Sequence, residues 1–492
     1  MHLRKMWPRY LLWFAQEHVD FRHAEMQSLL SMFNIPIRYV EKPCEVKPYW
    51  VVEVPSEECV RKLASRSVLL KNCIELWSRA KTEAQLHQNL KRAMQNSTDQ
   101  WITPKSENGV CDQDVCPSGL IEACRPVDKS FKVEVETFCK HFSMKEKVEK
   151  IEKFDYLAFE GPVKLKKPDT VLSYIEFYGL EPNNVPDEPE DLFFGRWVAD
   201  GQREVIQQHS LKKRTFIGNT SMDPALALLA ANQAQLQDGD IALDPFVGSG
   251  SLLVAAAHFG AYVCGTDIDF LMLHGRTRPT RVGQKVRKKE ESIRANMVQY
   301  GYGARFLDVV VSDSSRPLWR RGRAPAMDAL LTDPPYGIRE PTERVGIERE
   351  SYSLPAAQRA QHVPAKLPYA LAQLYRDLLA AAAALLAPGR RLVAWYPLLR
   401  AEYSPEQLPS HPCLELVANS EQVLSRLTAR RLLTYEKIRE PDGDEAADGG
   451  AHNFREKYFN SGEETRRARK ERRARELAAY LRQKEIQNAQ LT

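Results

Sequence analysis

Short apolar runs and stretches of helical spacing alternate from the start of the chain. The pattern predicts a strand over 10–15, a helix over 21–33, strands over 36–40 and 49–54, a helix over 56–64 and a strand over 68–78. The order β-α-β-β-α-β is that of a ferredoxin-like unit, here expected over residues 1–80. From 81 to 180 the pattern predicts a polar helix through 94, a loop rich in Ser, Pro and Cys to about 128, a strand over 131–137, a helix over 144–154 and an apolar strand over 171–178. A second compact module is expected there.

Between Glu181 and Asp191 the chain carries three prolines and five acidic residues. Such a stretch is stiff and solvated, so a linker is expected over 181–215. After Phe216 the character changes. Strands predicted over 241–243, 261–264, 305–312, 329–332 and 391–395 alternate with helices over 251–259, 291–300 and 371–386. This alternation predicts right-handed crossovers and a doubly wound, mostly parallel α/β sheet over 216–440, with ligands at the carboxyl ends of its strands. Residues 441–492 read as a charged tail. Its stretch from Arg466 to Arg475 holds seven basic residues and suits either a solvated helix or contact with RNA.

Composition changes this picture little. With 492 residues, 43% of them hydrophobic, there is material for two or three cores, and a net charge of +5 says nothing about partners until it is located. The run over 10–15 meets Glu17 and Asp20 too early for a signal peptide or membrane span, so a cytoplasmic or nuclear protein is expected, the cytoplasm foremost. The nine cysteines are scattered. Cys111, Cys116, Cys124 and Cys139 lack the paired spacing of a zinc site, and no metal is expected.

Candidate chemistry lies at the predicted strand ends. Asp244-Pro245-Phe246-Val247-Gly248-Ser249-Gly250 joins a strand to a helix, and its glycines allow backbone to approach a ligand closely. A third glycine of the dinucleotide fingerprint is missing, which disfavours a pyrophosphate binder. Asp267 ends the next strand, near the spacing at which a carboxylate accepts from a ribose diol, and Asp313 ends the one after, placed to accept from an adenine amino group. An adenosine-bearing cofactor is expected. Ser221 and Met222, in the stretch Phe216 to Pro224, are expected to form a lid or floor over it, while Asp223 caps the helix that follows.

Asp333-Pro334-Pro335-Tyr336 follows the strand over 329–332. An exocyclic aromatic amine is planar and a poor nucleophile toward a methylsulfonium. The Asp333 carboxylate and the Pro334 carbonyl can accept its hydrogens and draw it toward tetrahedral geometry. Two prolines hold the acceptors still, and Tyr336 offers a face for an extruded base. The tetrad and the adenosine site together predict S-adenosylmethionine-dependent methylation of an amine.

Two further features concern partners. Arg276, Arg278, Arg281, Lys285, Arg287, Lys288 and Lys289 form a dense basic run on the cofactor side, either a solvated loop or a set of phosphate contacts. The strand over 305–312 is apolar on both faces through Phe306, Leu307, Val309, Val310 and Val311. In the strand order usual for methyltransferases it lies at an edge, where a partner chain would add a strand.

The chain resembles, over nearly its whole length, the catalytic subunits of the tRNA guanosine-10 N2-methyltransferase family, THUMP-containing amino-methyltransferases. The resemblance is carried by Phe194 to Arg203, Leu211 to Arg214, Gly218 to Asp223, Asp244 to Gly250, Gly265 to Asp269 and Thr332 to Glu340. It implies a Rossmann-like class I methyltransferase sheet preceded by an α+β region, with a THUMP domain over 81–180 that grips the tRNA acceptor end. It also implies a small zinc-binding activator subunit covering the apolar edge strand. Residues from about 99 to 130 and the basic tail match the family poorly. An adenine-N6 methyltransferase shares the tetrad, a glutamine-N5 methyltransferase more often has Asn in the place of Asp333, and a catalytically silent RNA-binding protein would not need the intact acids.

Overall fold

The computed structural model describes residues 7–95, 127–157, 159–316, 318, 327–347, 364–443, 445–450 and 453–460. Most of the 99–130 loop, with Cys111, Cys116 and Cys124, and the basic run at 466–475 lie outside the described residues.

The first half is built on one sheet. Its elements run β1 (Arg9–Phe14), α1 (Arg22–Met32), β2 (Arg38–Tyr39), β3 (Tyr49–Glu53), α2 (Glu57–Ala64), β4 (Leu70–Ala80), α3 (Glu83–Gln95), β5 (Phe131–Phe138), α4 (Met144–Glu152), β6 (Thr170–Phe177) and β7 (Asp191–Asp200). Seven strands pair in the order β2-β3-β1-β4-β7-β6-β5. The first four are antiparallel, as in a ferredoxin-like unit.

β7 corrects the expected linker. Residues 191–200 form an antiparallel strand between β4 and β6 and so join the two expected modules into one sheet. The prolines that signal a linker end at Pro189 and the acids at Asp191, where the strand begins, and Leu192, Phe193, Phe194 and Val198 beyond them are fully buried. Gly195 is required here, because a Cβ at that position would lie 2.0 Å from the Glu75 carbonyl oxygen.

The second half continues with α5 (Arg203–Gln208), α6 (Pro224–Gln233), β8 (Ile241–Asp244), α7 (Ser251–His258), β9 (Tyr262–Asp267), α8 (Phe270–Leu273), α9 (Ile293–Gln299), β10 (Phe306–Val311) and β11 (Met327–Thr332). After these come β12 (Glu343–Val345), β13 (Lys366–Pro368), α10 (Leu371–Leu385), β14 (Leu386–Leu399), β15 (Leu414–Val423), β16 (Thr428–Lys437) and α11 (Phe454–Asn460). The large sheet has the order β10-β9-β8-β11-β14-β16-β15. From β10 to β14 its pairs are parallel, and β16 inserts antiparallel between β14 and β15. Strand order reverses between β8 and β11, which opens the crevice where such sheets bind ligands. The β15–β16 hairpin lies in a region where the apolar pattern predicted no element.

One of the apolar clusters spans both halves, with Leu29, Val60 and Leu63 packed together with Leu226, Leu252, Val263 and Trp395, while others lie within a single half. A buried polar hub lies within this contact. The Glu25 carboxylate accepts from Ser67 Oγ at 2.6 Å, Val68 N at 2.8 Å and Asn232 Nδ2 at 2.9 Å. Arg66 donates to Asn232 Oδ1 at 3.1 Å and to the Leu236 carbonyl at 2.7 Å. At the far edge, Phe306 of β10 is buried, whereas Leu307, Val310 and Val311 are nearly half-exposed.

Candidate active site

The site assembles where β8, β9 and β11 end. Asp244 closes β8, and its buried Oδ1 accepts from Phe246 N at 3.0 Å and from Thr332 Oγ1 at 2.8 Å, tying the ends of β8 and β11 together. Burial pushes its carboxyl up to about 8. Gly248, at φ 49°, turns its N–H onto Asp267 Oδ2 at 2.9 Å, and Asp267 Oδ1 accepts from Asp269 N at 2.8 Å. Burial raises Asp267 to about 6 against the pull of those two hydrogen bonds. Gly250 serves packing, since a Cβ there would meet Ile293 Cγ2 at 2.7 Å.

Residues before α6 strap this loop to the tetrad. Ser221 Oγ accepts from Gly218 N at 2.8 Å and lies 2.6 Å from Ser249 Oγ. Thr220 Oγ1 donates to Glu340 Oε1 at 2.6 Å. Asp223 caps α6 through Ala225 N at 2.9 Å, with Pro224 in the first turn.

A cavity of about 660 Å³ lies between these elements. It is lined by Ser221, Met222, Asp244, Pro245, Phe246, Gly248 and Asp267, and by all four residues Asp333, Pro334, Pro335 and Tyr336. Thus most of the residues expected on cofactor and substrate meet in one place. Gly250 and Asp313 are not among the lining. Asp313 Oδ1 accepts from Ser315 N at 2.9 Å and Oδ2 from Val345 N at 2.7 Å, so the carboxylate expected on adenine serves its own turn and β12.

At the tetrad, Asp333 Oδ1 accepts from the Tyr336 hydroxyl, and Oδ2 pairs with Arg430 Nη1 at 2.7 Å. Arg430 comes from β16, stacks over the Trp395 indole at 4.0 Å and donates from Nε to Gln422 Oε1 at 2.7 Å. Sequence reasoning missed it, because no spacing links positions brought together by strand insertion. It also missed α11, whose Phe454 and Tyr458 line the cavity while Arg455 Nε donates to the Gly337 carbonyl at 2.8 Å.

The basic run divides. Arg281 donates to the Lys212, Leu211 and Arg214 carbonyls. Arg287 donates to Glu291 and to the Thr277, Ile217 and Arg278 carbonyls. These two are braces of the loop, which corrects the expectation that all seven face a phosphate. Arg276, Arg278, Lys285, Lys288 and Lys289 are exposed.

The cavity's charge suits a cationic nucleoside. Its lining carries Asp267 and Asp269 next to the glycine loop and Asp223, Glu340 and Glu343 besides, together with the cations Arg278, Arg287, Arg339, Lys366 and Arg430, so that acids face a sulfonium while the Asp333 carboxylate is balanced by Arg430. S-Adenosylmethionine therefore fits the donor set present.

Two family models match the chain: the Tmrp11 THUMP N-terminal domain over residues 8–106 and 122–203, and the RMKL-like methyltransferase domain over 212–360. The tRNA (guanine(10)-N(2))-methyltransferase TRMT11 of Gallus gallus is 43% identical over 462 residues, covering 92% of this chain and 95% of the relative. Its counterpart in Rattus norvegicus is 44% identical over 465 residues, at 92% and 94% coverage. That of Xenopus laevis is 42% identical over 480 residues, at 96% and 95% coverage. With both halves matched and near-complete coverage on either side, the chain belongs to the TRMT11 family of tRNA (guanine(10)-N(2))-methyltransferases.

Proposed function

We propose that this chain methylates the exocyclic N2 amine of guanosine 10 in tRNA, with S-adenosylmethionine as donor. The observation that carries the reading is Asp333, held at the end of β11 within the cavity shared with Asp244 and Asp267, in a chain of this family. The bound cofactor supplies an electrophilic methyl group on a sulfonium. Asp267 accepts from the ribose hydroxyls, while Ser221, Met222, Pro245, Phe246 and Gly248 wall the nucleoside. Asp333 and the Pro334 carbonyl accept the two hydrogens of the amine and orient its lone pair, an effect of placement more than of basicity. Pro334 and Pro335 fix the backbone, and the Tyr336 ring carries the base.

In this reading residues 1–80 form the ferredoxin-like unit and 81–180 the THUMP unit that grips tRNA, and exposed Arg276, Arg278, Lys285, Lys288 and Lys289 meet its phosphates. A zinc-binding activator subunit adds a strand to β10, whose outer edge carries half-exposed Leu307, Val310 and Val311. The chain works in the cytoplasm; among the described residues no helix is long and apolar enough to cross a membrane. Mass-spectrometric mapping of tRNA nucleosides from cells with and without the protein tests the reading. Loss of N2-methylguanosine at position 10 is expected, and its persistence would overturn the proposal.

A further inference from the structure

The surroundings of Asp333 go beyond what the tetrad explains. A free aspartate rotates readily about its last torsion, so that either oxygen, at any angle, can face a substrate. Here Oδ2 is held by Arg430 Nη1 at 2.7 Å, and Arg430 is itself gripped on three sides. The Trp395 indole lies beneath the guanidinium at 4.0 Å, Gln422 Oε1 takes its Nε at 2.7 Å, and Asp333 closes the third side. Its backbone sits inside the sheet, paired with Pro397 of β14 and Gln422 of β15. The ion pair is mostly buried, with side-chain exposures of 13% for Arg430 and 23% for Asp333. In such a place a planar fork imposes an angle as well as a charge.

We propose that Arg430 is the positioning residue of the catalytic carboxylate: it clamps Asp333 through Oδ2, so that Oδ1 is the oxygen presented to the amine. The Tyr336 hydroxyl satisfies Oδ1 until a base enters, and the amine takes its place as donor. The clamp assigns Asp333 a definite task. With one oxygen held by Arg430, Asp333 aims the lone pair, and the proton released after methylation passes to water. The other ionisable groups facing Asp333 are Tyr336 on its own loop, Asp244 on β8 and Tyr375 on α10; His18 faces Arg430. None of them supplies a cation in place of Arg430 at neutral pH, since burial holds His18 below its usual range.

The inference rests on the proposed methyl transfer, and the test separates the two. Wild type, Arg430→Met and Arg430→Lys are assayed on tRNA as the full chain with its activator subunit, measuring kcat and the KM for tRNA. Binding of S-adenosylmethionine serves as the check on folding. For Arg430→Met, kcat should fall about 100-fold. KM and cofactor affinity should hold. Arg430→Lys should recover only part of kcat, because an ammonium keeps the charge and loses the planar orientation. If Arg430→Met keeps its kcat, or if its KM or cofactor affinity worsens as much as its kcat, Arg430 is merely structural and the inference fails. Should Arg430→Met not fold, Arg430→Lys decides alone: full kcat overturns the clamp, and reduced kcat with unchanged KM and cofactor affinity supports it. A wild-type enzyme inactive on tRNA would instead overturn the functional reading beneath it.

Discussion

Asp333 and Asp267 are both acids at strand ends, yet their surroundings give them opposite tasks. Asp333 faces a cation and a phenol, whereas Asp267 faces the backbone N–H of Gly248 in the glycine loop and that of Asp269 in its own turn. Asp333→Ala should therefore abolish methyl transfer, by at least about 100-fold, with cofactor affinity nearly intact. Asp267→Ala should weaken cofactor binding first, and isothermal titration with S-adenosylmethionine checks both. Asp244 makes a different prediction. Its carboxyl is raised to about 8 by burial, so the folded chain binds a proton more tightly than the unfolded one. The sign follows: stability contributed by the protonated form is present at low pH and is lost as pH rises from about 4 through 8. Asp244→Asn keeps an acceptor for Thr332 and Phe246 and should flatten the loss between pH 6 and 8 seen by urea unfolding of the ligand-free protein. An unchanged slope would mean that Asp244 ionises freely.

At the scale of elements, local signals were readable and inserted ones were not. The glycine loop and the tetrad are each contiguous in sequence, so their residue types could be read together, and Asp267 follows the loop closely enough to take the Gly248 N–H. β7 was hidden behind a proline-rich approach, and the β15–β16 hairpin brings Arg430 to Asp333 through strand pairing that leaves no trace in spacing. Asp313 mixes the two: a local turn and β12 bond to a carboxylate that the strand-end pattern assigned to a ligand, while its neighbours Ser312 and Ser314 line the cavity. The loop between α8 and α9 mixes both cases. Charge reversal at Lys285, Lys288 and Lys289 should lower tRNA affinity and reduce the salt slope by about one per lost contact. Arg287→Ala should instead cost roughly 1–3 kcal/mol of stability, because it strands part-buried carbonyls and the Glu291 carboxylate. If all four variants share the wild-type slope, the loop makes no phosphate contact.

For the whole molecule, the shared core matters most. Phe21 of the first half lies 5.9 Å from Trp395, the ring on which Arg430 stacks, so packing runs unbroken from the first half to the catalytic carboxylate. Because one of the apolar clusters is shared by the two halves, they should unfold in one cooperative transition, and calorimetry resolving two would show that the halves unfold apart. Asn232→Ala, which removes a donor to buried Glu25 and an acceptor for Arg66, should lower that single transition by roughly 1–3 kcal/mol.

The insertion of β16 has a consequence in time. Arg430 lies 97 positions after Asp333 and leaves the ribosome roughly 5–20 s later. During that interval the nascent chain carries its tetrad and glycine loop complete, with the acid lacking its counter-charge and β14 lacking its neighbour. A message cut short before β16 would thus encode every residue of the readable motif and still lack both the strand that completes the sheet and the guanidinium beside Asp333.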